Sequence, residues 1–133
     1  MPTLTGVYES VLYVPDLQAA AGFYSGTLGL RPVRESADLL DGFRLPSGGV
    51  LLLFNPAESA KPAREVPSHG ARGPGHLALS MKPGDYAAWR GHLVASGVAI
   101  EQEMVWGSGA RSIYVRDPAG NSVELVEGEI WPT

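Results

Sequence analysis

A chain of 133 residues with a net charge of −4, 44% hydrophobic and 18% charged residues has the composition of one soluble domain with a real core. Its ten Lys and Arg are scattered, which excludes a nucleic-acid-binding stripe and speaks against an anionic membrane surface as partner. It has no cysteine, which excludes disulfides, thiolate metal sites and a cysteine nucleophile, so any metal must be held by nitrogen and oxygen.

The N-terminus lacks a basic region followed by an apolar run. No signal peptide is expected, and a cytoplasmic location is. From Gly6 the chain alternates, with Tyr8, Ser10, Leu12 and Val14 on one face and Val7, Glu9, Val11 and Tyr13 on the other, which predicts a strand. Asp16 then suits a helix N-cap. The helix it opens has an apolar stripe of Leu17, Ala20, Ala21, Tyr24 and Leu28 and stops at Gly29, where a left-handed C-cap costs little. Three strand-like runs follow, roughly Pro32–Ser36, Gly42–Leu45 and Val50–Asn55, and Leu45-Pro46-Ser47-Gly48 before the last of them suits a tight turn. Val50 to Phe54 is the longest apolar run, far too short to span a bilayer. Residues 57–73 hold Pro62 and Pro67 and few large apolar side chains, and read as a connection or lid.

From Pro74 the pattern repeats. An alternating strand places Leu77, Leu79 and Met81 opposite His76, Ala78 and Ser80. Asp85 suits an N-cap, Tyr86, Trp89 and Leu93 form an apolar stripe, and the helix stops at Gly97. Strand-like runs follow at roughly Ile100–Val105, Arg111–Arg116 and Ser122–Glu127, with Asp117-Pro118-Ala119-Gly120 as the second tight turn. The expected fold is therefore α+β: two βαβββ modules, residues 6–56 and 74–128 of one domain spanning 1–133, whose mixed sheets curve around a cleft.

The apolar strand faces should pack on the helices and leave the opposite faces to line the cleft. Glu9, His76, Glu124, Ser112 and Tyr114 all fall on that second set. Taken singly, Glu9 and Glu124 read as surface carboxylates and His76 as a hydrogen-bonded structural histidine. Taken together they occupy matching places in a repeat, and a cation would offset the cost of a carboxylate between Val7 and Val11. Two carboxylates and an imidazole suit one divalent Mn, Fe, Co, Ni or Zn ion and leave positions open for catalysis. Arg72, Trp106 and Arg111 lie in Gly-rich segments expected near the cleft mouth and are candidates for substrate contact. His92 is expected to face solvent in mid-helix, and His69 lies where it could reach the cleft.

These residues match a family. The run LYVPDLQAAAGFYSGTLGL resembles the first module of the vicinal oxygen chelate superfamily, which includes glyoxalases, bleomycin resistance proteins and dioxygenases. GPGHLALSM resembles the start of its second module, and SIYVRDPAGNSVELVE its closing hairpin. The resemblance implies metal ligands at Glu9, seven residues before Asp16, at His76, and at Glu124, seven after Asp117, with Ser112 and Tyr114 near substrate. It also implies a homodimer whose sites are shared between subunits. Many members carry His where this chain has Glu9. Glyoxalase I types add a glutamate on the last strand of the first module, where the repeat register points here to Leu52 and another anchoring to Leu51. The leading expectation is a metal-dependent, glyoxalase-like lyase or isomerase acting on a small molecule with vicinal oxygens, with Glu124 or Glu9 moving a proton. An extradiol-type dioxygenase and a bleomycin-resistance-like binding protein are the alternatives.

Overall fold

The computed structural model describes residues 1–133. The chain divides into two compact units, Met1–Arg72 and Gly73–Thr133, so the Pro-containing segment belongs with the first module. No helix is long and apolar enough to cross a membrane.

The first unit contains β1 (Glu9–Tyr13), α1 (Leu17–Ala21), β2 (Arg31–Glu35), β3 (Leu40–Arg44), β4 (Val50–Phe54) and a short α2 (Pro56–Ser59). Its sheet has the order β1-β4-β3-β2. β1 runs parallel to β4, with Glu9 opposite Val50 and Tyr13 opposite Phe54. The alternation from Gly6 becomes strand only at Glu9, because β4, its one partner, begins at Val50 after the turn at Gly48 and Gly49. Gly49 has φ +75°, and a Cβ there would lie 3.0 Å from the Tyr8 carbonyl, so only glycine lets the two backbones approach so closely.

Asp16 caps α1, its side chain accepting from the Ala19 amide. The helix then widens into a π turn over Gly22–Thr27. That sequence, GFYSGT, is poor in strong helix formers. The extra residue per turn sends Phe23 inward beside Tyr24, which a regular α-helical stripe did not include. Leu12, Val14, Phe43, Leu51 and Leu53 complete this core. The sequence pattern did not announce α2: Asn55 caps it through the Ala57 amide and Pro56 starts it.

The second unit repeats the plan with β5 (His76–Ser80), α3 (Tyr86–Ala95), β6 (Gln102–Val105), β7 (Arg111–Arg116) and β8 (Ser122–Glu127). The sheet order is β5-β8-β7-β6, with β5 parallel to β8. Ile113, Val115, Val123 and Leu125 face Leu93 and Tyr86 of α3 in a buried core. The two mixed four-stranded sheets are the fold class expected from the repeat.

The hairpin motif is a staple. Asp117 Oδ1 accepts from the amides of Ala119 and Asn121, and its Oδ2 accepts from Asn121 Nδ2. Asn121 Oδ1 in turn accepts from the Gly75 amide at 2.7 Å. Both side chains are buried. The side-chain turn therefore ties the first residue before β5 to the first before β8, and sets the register that brings His76 opposite Ser122 and Ala78 opposite Glu124.

Asp85 stands at the N-cap of α3 but its side chain caps nothing, which corrects the sequence reading. Glu127, at the end of β8, takes that role, its Oε2 accepting from the amides of Gly84 and Tyr86. A carboxylate from a neighbouring strand complements the helix N-terminus as well as a local one does.

Candidate functional site

The second sheet presents His76, Ala78, Ser112, Tyr114, Glu124 and Val126 on the face away from α3. Here β7 and β8 pair Tyr114 with Glu124 and Ser112 with Val126. Glu124 is a carboxylate only 5% exposed, which is costly unless its oxygens are engaged. They are engaged. Ser112 donates to Glu124 Oε2 at 2.6 Å. Burial, followed by the charge of the neighbouring Glu124 carboxylate, raises the pKa of Tyr114. Glu124 Oε1 faces His76 Nε2 at 3.3 Å.

The other nitrogen of His76 is engaged as well. Nδ1 lies 3.2 Å from the Ser122 carbonyl and 3.1 Å from the Ser122 hydroxyl. The carbonyl can only accept, whereas the hydroxyl can donate or accept, so the two ring tautomers satisfy different contacts. With the proton on Nδ1, Nε2 offers its lone pair toward Glu124 and a cation can lie between them; with the proton on Nε2, the ring donates to the carboxylate. The ring also stacks loosely on Tyr114, 21° from parallel at 6.3 Å. An outward Nε2 with Nδ1 held from behind is how imidazole ligands are oriented on metals. A 3.3 Å separation suits two ligands that each lie about 2.0–2.2 Å from one ion. The donor set thus fits a divalent cation. Within this unit it amounts to two ligands, since no third His, Asp or Glu joins them.

A pocket of ≈ 520 Å³ opens on this pair, walled by Trp106, Val126, Ile130 and Trp131 and floored by His76, Tyr114 and Glu124. Its lining combines the polar His76, Tyr114 and Glu124 with aromatic and aliphatic side chains, and Ser80 and Glu129 add further polar groups.

The other candidates fall in different places. Trp106 lines the pocket, and its Nε1 donates to Ser112 at 2.8 Å. Arg111 does not line this pocket. It alternates with Ser112 onto the helix side, where it donates to Glu127 Oε1 at 2.6 Å and stacks 4.1 Å over the Tyr86 ring. Arg72 is exposed and ends the first unit. His92 is exposed, edge-on to Trp89. Ile130 and Trp131 lie beyond the repeat and had no signal in it. Ser122 could have been found from the β5–β8 register.

In the first unit, Glu9 is exposed at the start of β1 and shares its face with Val11, Tyr13, Leu52 and Phe54. Pairing of Val11 with Leu52 and Gly42 with Leu52 matches that of Ala78 and Tyr114 with Glu124. Leu52, and not Leu51, is therefore the counterpart of Glu124, so this half has no second carboxylate. At the far end of the same face Tyr13 and His69 Nδ1 are 2.8 Å apart, and the His69 ring stands edge-on to Phe54 at 4.6 Å. The segment 57–73 thus folds onto its own sheet through His69.

A model of the Glyoxalase/Bleomycin resistance protein/Dioxygenase superfamily matches residues 7–125. The chain is 35% identical to a lactoylglutathione lyase from Agrobacterium tumefaciens, with a TM-score of 0.92, covering 99% of this chain and 100% of that one. A glyoxalase/dioxygenase from Nostoc punctiforme shares the fold at 24% identity, TM-score 0.71, over 97% and 98% of the two chains. A glyoxalase/bleomycin resistance protein/dioxygenase from Nocardioides does so at 20% identity, TM-score 0.76, over 100% and 92%. No curated protein matches the sequence.

Proposed function

The chain belongs to the Glyoxalase/Bleomycin resistance protein/Dioxygenase superfamily, and from that premise we propose that it is a divalent-metal-dependent, glyoxalase-like lyase or isomerase of small molecules with vicinal oxygens. The observation that carries this reading is the pair His76 Nε2 and Glu124 Oε1, 3.3 Å apart, with His76 Nδ1 engaged from behind by Ser122. In the Nδ1–H tautomer the pair presents two facing acceptors that a cation joins. We assign the third ligand to Glu9, on the family pattern. The exposed Val7 and Tyr8 beside the free edge of β1 support a homodimer with sites shared between subunits.

A bound divalent ion would supply Lewis-acid charge at two adjacent substrate oxygens. The protein's own groups do the rest. Ser112 holds Glu124 Oε2, so this carboxylate is fixed in orientation. Glu9 has no hydrogen-bonding partner within its own unit, and we give it the proton-moving role. It removes the proton from the hydroxyl-bearing carbon beside a carbonyl and returns it to the carbonyl carbon, while the hydroxyl proton passes to the former carbonyl oxygen, so that atoms balance within one molecule. Trp106, Val126, Ile130 and Trp131 hold the apolar body of the substrate against the wall and keep water from it. A second carboxylate where many members carry His makes the ligand set harder and favours Lewis-acid over oxygen chemistry.

The test is metal content after purification without chelator, followed by titration with Mn, Fe, Co, Ni and Zn. About one ion per chain, lost in His76→Ala and Glu124→Ala, supports the reading. Protein that takes up none of the five ends it. Metal-dependent oxygen consumption in place of solvent-deuterium uptake by small α-hydroxyketones would move the assignment to dioxygenase.

A further inference from the structure

Three groups on β7, β8 and the β6–β7 connection form a directed chain. Trp106 Nε1 lies 2.8 Å from Ser112 Oγ, and Ser112 Oγ lies 2.6 Å from Glu124 Oε2. An indole N–H only donates. Ser112 must therefore accept from Trp106, and its single O–H is committed to Glu124. Ser112 is wholly buried and Glu124 is 5% exposed, so water does not compete for either end of the chain.

The position of Trp106 is itself set by the backbone. Its amide donates to the Ala110 carbonyl and its carbonyl accepts from the Gly109 amide. Gly109 has φ +88°, a conformation that glycine adopts without strain. The tight turn over residues 106–110 thus anchors the indole before β7 begins at Arg111.

We propose that Trp106 is a positioning residue: through Ser112 it holds Glu124 in the one orientation that directs Oε1 at His76 Nε2. Sequence reading had placed Trp106 against substrate. The structure gives it a second task on the far side of a buried hydroxyl. The value of that orientation to a bound ion rests on the metal-dependent reading above, but the chain of hydrogen bonds does not.

Two measurements separate the two. The first uses metal-free protein labelled with ¹⁵N, in which the Trp106 indole N–H is assigned with Trp106→Phe. Its resonance should exchange slowly with solvent, and should move in Ser112→Ala, which removes its acceptor, and in Glu124→Gln, which replaces the carboxylate that orients the hydroxyl between them. An indole signal indifferent to Glu124→Gln overturns the inference whatever the metal does. The second measurement is Zn or Co affinity by calorimetry. Trp106→Phe keeps the ring and the wall but loses the donor, and should weaken binding about 10–100-fold, as loss of a ligand's supporting partner does. The double variant Trp106→Phe/Ser112→Ala should bind no more weakly than Ser112→Ala alone, since one acts through the other. Wild-type affinity in Trp106→Phe, or additive losses in the double variant, overturns the positioning role. Wild-type protein that binds no ion while the indole coupling holds overturns the metal reading alone.

Discussion

Asn121 reaches across from the start of β8 to accept the Gly75 amide at 2.7 Å, and by doing so it joins the two strands that carry Glu124 and His76. The same side chain donates to Asp117 and is 1% exposed. Asn121→Ala removes a buried acceptor and leaves the Gly75 amide and Asp117 without it. The expected loss is about 2–4 kcal/mol in urea unfolding. Asn121→Asp should cost as much, because it sets a second carboxylate against Asp117. Unchanged midpoints would mean that the register is held elsewhere.

Acid should weaken the second unit through Glu127. Its hydrogen bonds with Arg111, then with the Gly84 amide, lower its pKa below the usual glutamate value, and Glu101 and Glu103 are lowered in the same direction by Arg116 and by Tyr86 and Arg90. A folded-state value below the unfolded one means stability that is present above the ordinary glutamate range and lost as pH falls through the folded value. Thermal unfolding between pH 3 and pH 7, as a range on the order of the carboxylate titration, should show Glu127→Gln with a lower Tm at neutral pH and a flatter acid limb. Parallel curves for variant and wild type would remove Glu127 as the cap of α3.

At the alkaline end Tyr86 sets the sign. Burial first, and Glu103 second, push its pKa from 10.0 to about 12. The neutral phenol is favoured in the folded state, so its contribution is complete below pH 10.0 and is lost as pH rises toward about 12. Ultraviolet titration at 295 nm, a wavelength on the order of the tyrosinate band, should show a tyrosine ionising toward pH about 12, and Tyr86→Phe should remove that component and leave Tyr114, whose pKa is also raised.

Asp41 is 6% exposed on the helix side of the first sheet. Burial raises its pKa, with the Ser36 amide opposing and Glu35 adding to the rise. The charged form is the disfavoured one, so stability falls as pH rises through its folded value. Asp41→Asn keeps an acceptor for Ser36 and removes the charge. It should raise Tm at neutral pH by about 2–5 °C and have no benefit in acid. A lower Tm at neutral pH would show that the carboxylate is needed there.

Turnover should divide the two carboxylates. In the first small α-hydroxyketone or α-ketoaldehyde that the metal-loaded protein accepts, Glu9→Gln should cut kcat about 10²-fold or more, with metal affinity changed far less. Glu124→Gln should first lose the ion. The reverse pattern would return the proton-moving role to Glu124.

Much of this molecule is legible in one dimension because its period-2 alternation and its repeat are local properties. They placed β7 and β8 to the residue, put Leu12, Ile113 and Val123 inside, and set Ser112, Tyr114 and Glu124 together on the opposite face. Alternation also holds the information that Arg111 lies on the other side from Ser112, although proximity in sequence drew both toward the pocket. Asp16 capped its helix because a side chain three residues away is within reach whatever else folds. Asp85 did not, because Glu127, some forty residues on in chain, was delivered to the same amides by the sheet. Partners of that kind have no spacing to read. The widening of α1 at Gly22, the Trp106–Ser112–Glu124 chain and the Ser122 contacts of His76 Nδ1 belong to the same class. Residue type and period determined which side chains share a face, since these depend on the geometry of a strand alone. Which hydroxyl, amide or ring each of them meets was decided only when β5 closed against β8, because a hydrogen bond is a matter of a few tenths of an ångström between residues distant in sequence.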